Sequence, residues 1–105
     1  MFIGEVIGTV VATRKTDNMQ SLPLRLVRRL ATNNAPTAGY VVAVDVVGAD
    51  EGERVLIASG SSARQTHLTD ARPVDAIIMA IVDHWQVDNR TIYSKSALQQ
   101  DETVG

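Results

Sequence analysis

The segment Gly60-Ser61-Ser62-Ala63-Arg64 is the stretch of this chain whose residue types come nearest to catalytic or ligand-binding chemistry. Hydrolases carry a nucleophilic serine in a Gly-x-Ser-x-Gly turn, but Arg64 stands where the second glycine would be. A phosphate-binding loop ending in Gly-Lys-Ser/Thr is also missing. We interpret Gly60 as a sharp turn and the serines as caps for the N–H groups of a short helix. An anion bound at that helix start beside Arg64 is the alternative.

The other ionisable residues do not form a metal-binding or acid–base set in the sequence. His67 and His84 are the only histidines and are 17 positions apart, and the chain has no cysteine. A zinc site usually needs three or four ligands, and thiolate sites are excluded. Asp45, Asp75 and Asp83 interrupt apolar segments, where they would cap turns or pair with an arginine (Arg54, Arg64 or Arg72). The sequence therefore predicts no metal, no cofactor and no catalytic residue.

Trp85 and Tyr93 are the residues that could stack on nucleic-acid bases, as aromatic side chains do in single-strand-binding proteins. Aromatic residues make up only 4% of the chain, however, and the formal net charge is −2. Nucleic-acid-binding proteins usually present a basic face. We expect a core or interface role for both rings. A binding module for single-stranded nucleic acid or a small anion is the alternative function.

Export and membrane insertion are not expected. Met1–Glu5 lacks the basic region of a signal peptide. The longest apolar run, Ala76–Val82, is far shorter than the roughly 18 residues of a membrane span. The composition is compatible with the cytosol, and 105 residues predict one domain, which we place at residues 1–95 with a flexible polar tail at 96–105.

Six strand-like segments position the candidate polar and aromatic residues described above. They are Phe2–Thr13, Leu24–Leu30, Tyr40–Val47, Arg54–Ser59, Ala76–Val82 with its ending at Asp83-His84-Trp85, and Thr91–Tyr93. The first is rich in β-branched residues, and its glycines Gly4 and Gly8 predict a bend, a bulge or a close backbone approach. The second is ambiguous: its alternation suits a strand, whereas Ser21 and Pro23 could start a helix.

The connections between these segments carry turn residues. Ala31–Gly39 reads as a turn-rich connection. Gly48, Asp50 and Gly52 separate the third and fourth segments, and this layout predicts a β-hairpin. Five or six strands with one helical turn between the fourth and fifth fit a five-stranded OB-type barrel, although an up-and-down sandwich fits nearly as well. Several strands are apolar on both faces, which suggests that another copy covers one of them.

Two blocks of the sequence resemble the signature of the EutN/CcmL family, the pentameric vertex proteins of bacterial microcompartment shells. The first block comprises Val42-Ala43-Val44-Asp45, Val47-Gly48-Ala49, Gly52-Glu53, Val55-Leu56 and Gly60-Ser61-Ser62-Ala63-Arg64-Gln65. The second comprises Pro73-Val74-Asp75 and Ile81-Val82-Asp83. The resemblance covers roughly Met1–Asp83. It implies an all-β, OB-like barrel with one short helix before the last core strand, to which a short C-terminal strand and the tail are added. It also favours a strand at Leu24–Leu30.

The resemblance implies a structural protein without catalysis. Five copies would form a ring at the vertices of a cytoplasmic microcompartment shell whose facets are hexameric proteins. A head-to-tail contact closes into such a ring when its rotation fits, but the number five comes from the family. By position in the family, we expect small residues at or near a narrow opening on the five-fold axis: Gly60, Ser61 and Ser62. We expect three charged residues to fix the subunit interface or its supporting loop: Asp45, Arg64 and Asp83.

Overall fold

A closed β-barrel forms the body of the computed structural model, which describes residues 1–11, 22–60 and 75–96. The strands are β1 (Phe2–Val10), β2 (Leu24–Leu30), β3 (Pro36–Asp45), β4 (Arg54–Ser59), β5 (Ala76–Ile81), β6 (His84–Val87) and β7 (Arg90–Ser94). The first five close in the order β1-β2-β3-β5-β4, and β6 and β7 form a separate two-stranded sheet. The expected all-β class and five-stranded barrel are confirmed, and the sandwich is excluded. The helical turn expected before β5 lies outside the described residues.

Strand β1 is bent at its glycines, as the sequence predicted. A bulge interrupts its pairing with β2 between Val6 and Gly8. At Gly4 the chain passes so close to β2 that a Cβ atom would clash with Val27 Cγ1 and lie 3.0 Å from the Arg28 carbonyl oxygen. Glycine is the residue without this atom, so Gly4 permits the close approach that curls the sheet.

Strand β2 settles the ambiguity of the second segment, because it pairs along its length with β1 and β3. Its side chains alternate between the two sides of the barrel wall, as expected for a strand. Val27 is fully buried in the core, whereas its neighbours face outward, with Leu26 opposite Val42 and Arg28 opposite Tyr40. Leu26 and Arg28 therefore share the outward face, and the leucine–arginine alternation of the sequence does not mark which face is buried.

The predicted hairpin between the third and fourth segments is wrong. β3 pairs antiparallel with β2 and parallel with β5, while β4 pairs antiparallel with β1 and β5. Gly48 and Gly52 do adopt positive φ values of 76° and 89°. Their turns, however, carry residues 46–53 across the barrel instead of back along β3. Turn residues specify a local change of direction, and side-chain packing decides which strand becomes the neighbour.

Two predicted boundaries also change. β3 begins at Pro36, inside the connection predicted for Ala31–Gly39, and β5 ends at Ile81, before the predicted ending at Asp83-His84-Trp85. His84–Val87 instead forms a strand of its own that pairs with the expected C-terminal strand. Asp88 and Asn89 join them with φ values of 51° and 64°. Positive φ at both central residues is the feature of a tight hairpin turn, and Asp and Asn tolerate it.

The barrel interior holds one main hydrophobic core. Its buried members are mostly β-branched and come from all five barrel strands and the loop after β3: Val6, Val27, Ala43, Ala49, Val55, Ile57, Ala76 and Ile78. A smaller cluster of Ala58 and Ile77, with Val46 packed against it, lies apart from this core. Because β-branched side chains pack well on a pleated sheet, the composition of these strands accounts for the core.

Candidate functional site

The loop formed by residues 46–53 is fixed to the barrel by the carboxylate of Asp45, the last residue of β3. This residue is only 3% exposed. Its Oδ1 accepts hydrogen bonds from the N–H groups of residues 47 and 48 at 3.0 and 2.9 Å, and Oδ2 accepts one from the N–H of residue 49 at 2.9 Å. A carboxylate that accepts several backbone N–H groups at the start of a loop holds the chain in one turn.

Arg25 on β2 provides the positive charge that balances Asp45. Its Nε donates to Asp45 Oδ2 at 3.1 Å, and its Nη1 donates to Thr9 Oγ1 on β1 at 2.6 Å. Neither Arg54 nor another arginine that the sequence suggested is a described partner of this carboxylate. Asp45 therefore links three barrel strands and the loop after β3 through one charge pair. Both of its carboxylate oxygens have partners, so it has a structural task in this subunit.

The described residues of the two expected sites, the axial opening and the subunit interface, lie at different points along β5. Gly60 lies beside the start of this strand, with a φ of 62°, and its N–H donates to the Asp75 carbonyl at 2.9 Å. Asp45 pairs with Ile78 in the middle of the strand. Asp83 is exposed just beyond its end, where its carbonyl accepts a hydrogen bond from Lys95 N–H at 2.8 Å. Ser61, Ser62 and Arg64 lie outside the described residues.

A second polar cluster, which the sequence did not reveal, ties the β6–β7 hairpin to the barrel. Glu53 Oε1 accepts from the N–H of Asp50 at 2.7 Å, and Glu53 Oε2 accepts from Lys95 Nζ at 2.6 Å. The backbone N–H of Asp50 and, secondly, the Lys95 ammonium lower the pKa of the Glu53 carboxyl. The same bond to Glu53 raises the pKa of Lys95. Both shifts follow because each partner favours the charged form of the other.

Arg54 sits beside this ion pair and contacts the hairpin directly. Its guanidinium carbon lies 5.0 Å from the centre of the Tyr93 ring, and its Nε donates to Asn34 Oδ1 at 3.1 Å. Its Nη1 reaches Glu5 Oε2 at 3.4 Å. An arginine over an aromatic face combines cation–π attraction with packing. The Arg54 side chain thus contacts β1, the β2–β3 turn and β7 at the same time.

The two aromatic residues considered for base stacking pack against the protein itself. Tyr93 is only 5% exposed. It stacks on Trp85 with ring centres 5.2 Å apart, while Arg54 occupies a position over the Tyr93 ring. Trp85 Nε1 donates to the Thr32 carbonyl at 2.8 Å. A platform for bases needs open ring faces, and Tyr93 does not offer one.

We predict that Glu53 makes the attachment of the hairpin sensitive to acid. Its pKa is lowered in the folded chain from an ordinary 4.5, so its contribution to stability is present above pH 4.5 and is lost as the pH falls through the folded pKa. Glu53→Gln should lower the urea midpoint at pH 7, and the difference in midpoint from wild type should narrow as the pH falls below 4.5. Trp85 fluorescence reports on the hairpin because this is the only tryptophan.

The matched control for this prediction is Glu51→Gln, which removes an exposed carboxylate from the same loop. It should leave the midpoint near the wild-type value at both pH values. Lys95 acts in the opposite pH range: its raised pKa contributes stability below pH 10.5 that disappears as the pH rises through the folded value. A gap between wild type and Glu53→Gln that stays constant from pH 7 to pH 3 would contradict the assigned role.

The outer wall of β2 and β3 exposes an unusual combination of side chains. We call Leu26, Arg28, Tyr40 and Val42 the outer-wall patch. Tyr40 and Val42 are 56% and 47% exposed. The Arg28 guanidinium carbon lies 5.5 Å from the centre of the Tyr40 ring, and its buried Nε has no hydrogen-bond partner among the described residues. A buried donor without a partner costs about 1–3 kcal/mol, so the isolated subunit leaves this arginine incompletely satisfied.

Metal-binding and membrane-spanning elements were sought in residues 1–11, 22–60 and 75–96. In these ranges no three His, Cys, Asp or Glu side chains come together in an arrangement that could hold a metal ion. The same ranges contain no helix with the length and apolar character needed to cross a membrane.

Comparisons with known proteins identify relatives over most of the chain. A family model described as "Ethanolamine utilisation protein EutN/carboxysome" matches residues 1–83. The chain is 43% identical over 95 residues to the carboxysome shell vertex protein CcmL of Synechocystis sp.. This alignment covers 90% of this chain and 95% of the relative. The solved structure of Gloeobacter violaceus CcmL superposes with a TM-score of 0.88 at 43% identity, covering 91% of this chain and 99% of that one.

A third relative has a name that states its assembly. The GrpN pentameric microcompartment shell protein from Rhodospirillum rubrum superposes with a TM-score of 0.76 at 41% identity. The match covers 83% of this chain and 99% of that one. Nearly the whole length of the GrpN chain therefore has a counterpart in this chain.

Proposed function

The chain belongs to the EutN/CcmL family, and from this membership we propose that it is a structural protein that forms the pentameric vertices of a bacterial microcompartment shell in the cytoplasm. Its match to the family model spans residues 1–83. The relatives named as shell vertex proteins are covered almost completely by this chain. A vertex protein acts through its shape and its contacts, so the barrel and the surfaces it presents are the functional parts.

The observation that supports a pentamer is that this chain superposes along nearly the whole length of a shell protein that is itself described as pentameric. A ring of identical subunits needs a heterologous contact, in which one face of a subunit meets a different face of the next. The exposed apolar side chains of β3 provide surface for such a contact.

The polar residues support a structural task. The side chains of Asp45, Glu53 and Arg54 are bonded to the barrel strands, the loop after β3 and the segment after β7. They fix the loop after β3 and the β6–β7 hairpin. A catalytic group needs access to a substrate, and Asp45 is closed off by its own partners. We propose that the chain has no enzymatic activity.

The partners that we propose for the pentamer are the hexameric proteins of the shell facets, and nucleic acid is not among them. A pentagonal unit supplies the curvature at a vertex, while flat six-fold units extend the facets. The formal net charge of −2 and the burial of Tyr93 argue against binding of single strands, because such proteins combine a basic groove with open aromatic faces.

The segment after β4 is proposed to surround the five-fold axis. Gly60, Ser61 and Ser62 would line a narrow opening there, and small side chains suit a point where five backbones converge. The exposed Gly60 with its positive φ is compatible with this position. Asp45, Arg64 and Asp83 would fix the subunit interface or the loop that supports it. A crystal structure of the assembled protein with Ser61 and Ser62 far from the axis would contradict this part of the proposal.

Native mass spectrometry of the purified chain tests the proposed function. Subunits of 11.3 kDa should give a dominant species of five subunits. When the chain is added to facet-forming hexameric shell proteins, closed polyhedral particles should appear in electron micrographs, and they should be absent without it. A chain that stays monomeric at high concentration, or that converts a substrate unaided, would contradict the proposal.

A further inference from the structure

We infer that the outer-wall patch of Leu26, Arg28, Tyr40 and Val42 is one side of the contact between adjacent copies of this chain. The neighbouring copy would cover the apolar side chains and present an oxygen atom, from a carboxylate or a backbone carbonyl, to Arg28. This inference rests on the proposed pentamer and adds the face through which each subunit binds the next.

The apolar part of the patch follows from the register of the barrel. Leu26 stands opposite Val42 on the outside of the wall, because the neighbouring pair Val27 and Val41 faces the core. Side chains that point away from the core of an antiparallel sheet are usually polar. Here they are leucine, valine and tyrosine, with Tyr40 and Val42 both more than two-fifths exposed. An apolar outer wall of this kind is expected where another protein surface packs.

The charged part of the patch indicates what the covering surface brings. Glu5 pairs with Arg28 in the strand register, but its carboxylate is bonded to Arg54 on the other side. The acidic residue of β3, Asp45, is buried and bonded to Arg25. Arg28 therefore has only the Tyr40 ring as a described partner, and its Nε is unsatisfied. A covering surface with an acceptor oxygen would allow the side chain to turn outward and form charge-assisted hydrogen bonds.

A second copy of the chain could supply the acceptor oxygen if a different face of that copy covered the patch. The chain carries exposed carboxylates away from the patch, at Asp50 and Glu51 in the loop after β3 and at Asp83 and Asp88 near the hairpin. Two patches placed face to face about a two-fold axis would instead bring Arg28 against its own copy, and like charges repel. The patch therefore fits a head-to-tail contact, which is the type that closes into a ring.

Val42→Glu tests the apolar half of this inference, with Val87→Glu as the matched control. Val87 is a valine of similar exposure, 37%, on the β6–β7 hairpin. At a chain concentration where the wild type is pentameric in native mass spectrometry, Val42→Glu should lose the five-subunit species, whereas Val87→Glu should keep it. Circular dichroism shows whether each variant is folded. A folded Val42→Glu chain that remains pentameric would overturn the assignment.

Arg28→Leu tests the acceptor on the neighbouring copy, because this variant keeps the patch apolar and removes only the donor. The concentration at which the pentamer dissociates should rise at least about tenfold, the change expected for a lost charge-assisted hydrogen bond. An unchanged dissociation concentration would overturn the proposed contact to Arg28.

Hydroxyl-radical footprinting tests the same surface without a substitution and thus without a risk of misfolding. The chain has two tyrosines, and Tyr40 is exposed in the single subunit while Tyr93 is buried. Tyr40 labelling should fall severalfold when the wild type is concentrated from dissociated subunits to pentamers. A wild type that never forms pentamers contradicts the proposed function itself. Pentamers in which Tyr40 labels as freely as in the subunit overturn this inference alone.

Discussion

Replacing Asp45 with alanine is expected to lower the free energy of unfolding by about 3–5 kcal/mol, the range found when one partner of a buried ion pair is removed. The carboxylate at the end of β3 bonds both to β2, through Arg25, and to the backbone of the loop after β3. Its loss leaves Arg25 without its counter-charge and three backbone N–H groups without acceptors. Arg25 is 22% exposed at its side chain and can recover some hydration, which places the expected value in the lower half of the range.

Urea unfolding at one fixed chain concentration measures this effect, because assembly makes the midpoint depend on concentration. Asp88→Asn is the matched control: it also removes one carboxylate, and asparagine tolerates the positive φ at this position. It should change the free energy of unfolding by less than about 0.5 kcal/mol. Asp45→Asn should fall between the two, since an amide retains one acceptor oxygen. A cost below about 1 kcal/mol for Asp45→Ala would refute the central role assigned to this carboxylate.

The local signals in the sequence predicted individual strands well. The alternation of Leu24–Leu30 left strand and helix open and the family resemblance favoured a strand, and the structure has a strand with those bounds. Gly4 and Gly8 mark a close approach and a bulge, as expected. These features depend on neighbouring residues and backbone sterics, and both can be read without knowledge of the fold.

The pairing of strands depended on contacts that a local pattern does not contain. Gly48 and Gly52 indicated a turn correctly, but the parallel neighbour of β3 is β5, which follows it after a further strand. The Arg25–Asp45 ion pair likewise depends on which strands are neighbours, and a local pattern does not show it. Arg25 lies opposite Ala43, and Asp45 is two residues further along the same face. Diagonal pairs of this type become visible only once the register is known.

The C-terminal hairpin shows a signal that was present in the sequence and was misplaced. Asp88 and Asn89 are residue types that tolerate positive φ, so they predict a tight turn between two strands. The sequence pattern instead attached His84-Trp85 to the preceding strand and began the last strand at Thr91. β6 has few apolar residues, and its main anchors to the barrel are the Trp85 hydrogen bond and the residues around Tyr93. Hydrophobic patterning could not detect a strand held in this way.

Ile78 is the second position where a substitution is expected to lower the free energy of unfolding strongly, because it lies where the barrel closes. It pairs with Asp45 on β3 and with Ile57 on β4, and both isoleucines are fully buried. The parallel seam between β3 and β5 has only two paired positions, Val44 with Ile77 and Asp45 with Ile78. So few backbone contacts leave side-chain packing as the main force that holds this seam together.

Ile78→Ala is therefore expected to lower the free energy of unfolding by about 2–5 kcal/mol, and Ile78→Val by about 0.5–1.5 kcal/mol. The loss grows with the volume of the cavity, so the two variants should form a graded series. The adjacent Met79, which is 38% exposed on the other face of β5, supplies the control, and Met79→Ala should cost less than about 1 kcal/mol. Urea unfolding gives the energies, and amide exchange should accelerate at residues 44, 45, 77 and 78 in Ile78→Ala before the rest of the barrel opens. Equal losses for Ile78→Ala and Met79→Ala would mean that the seam is held by its backbone pairing and not by the packed isoleucines.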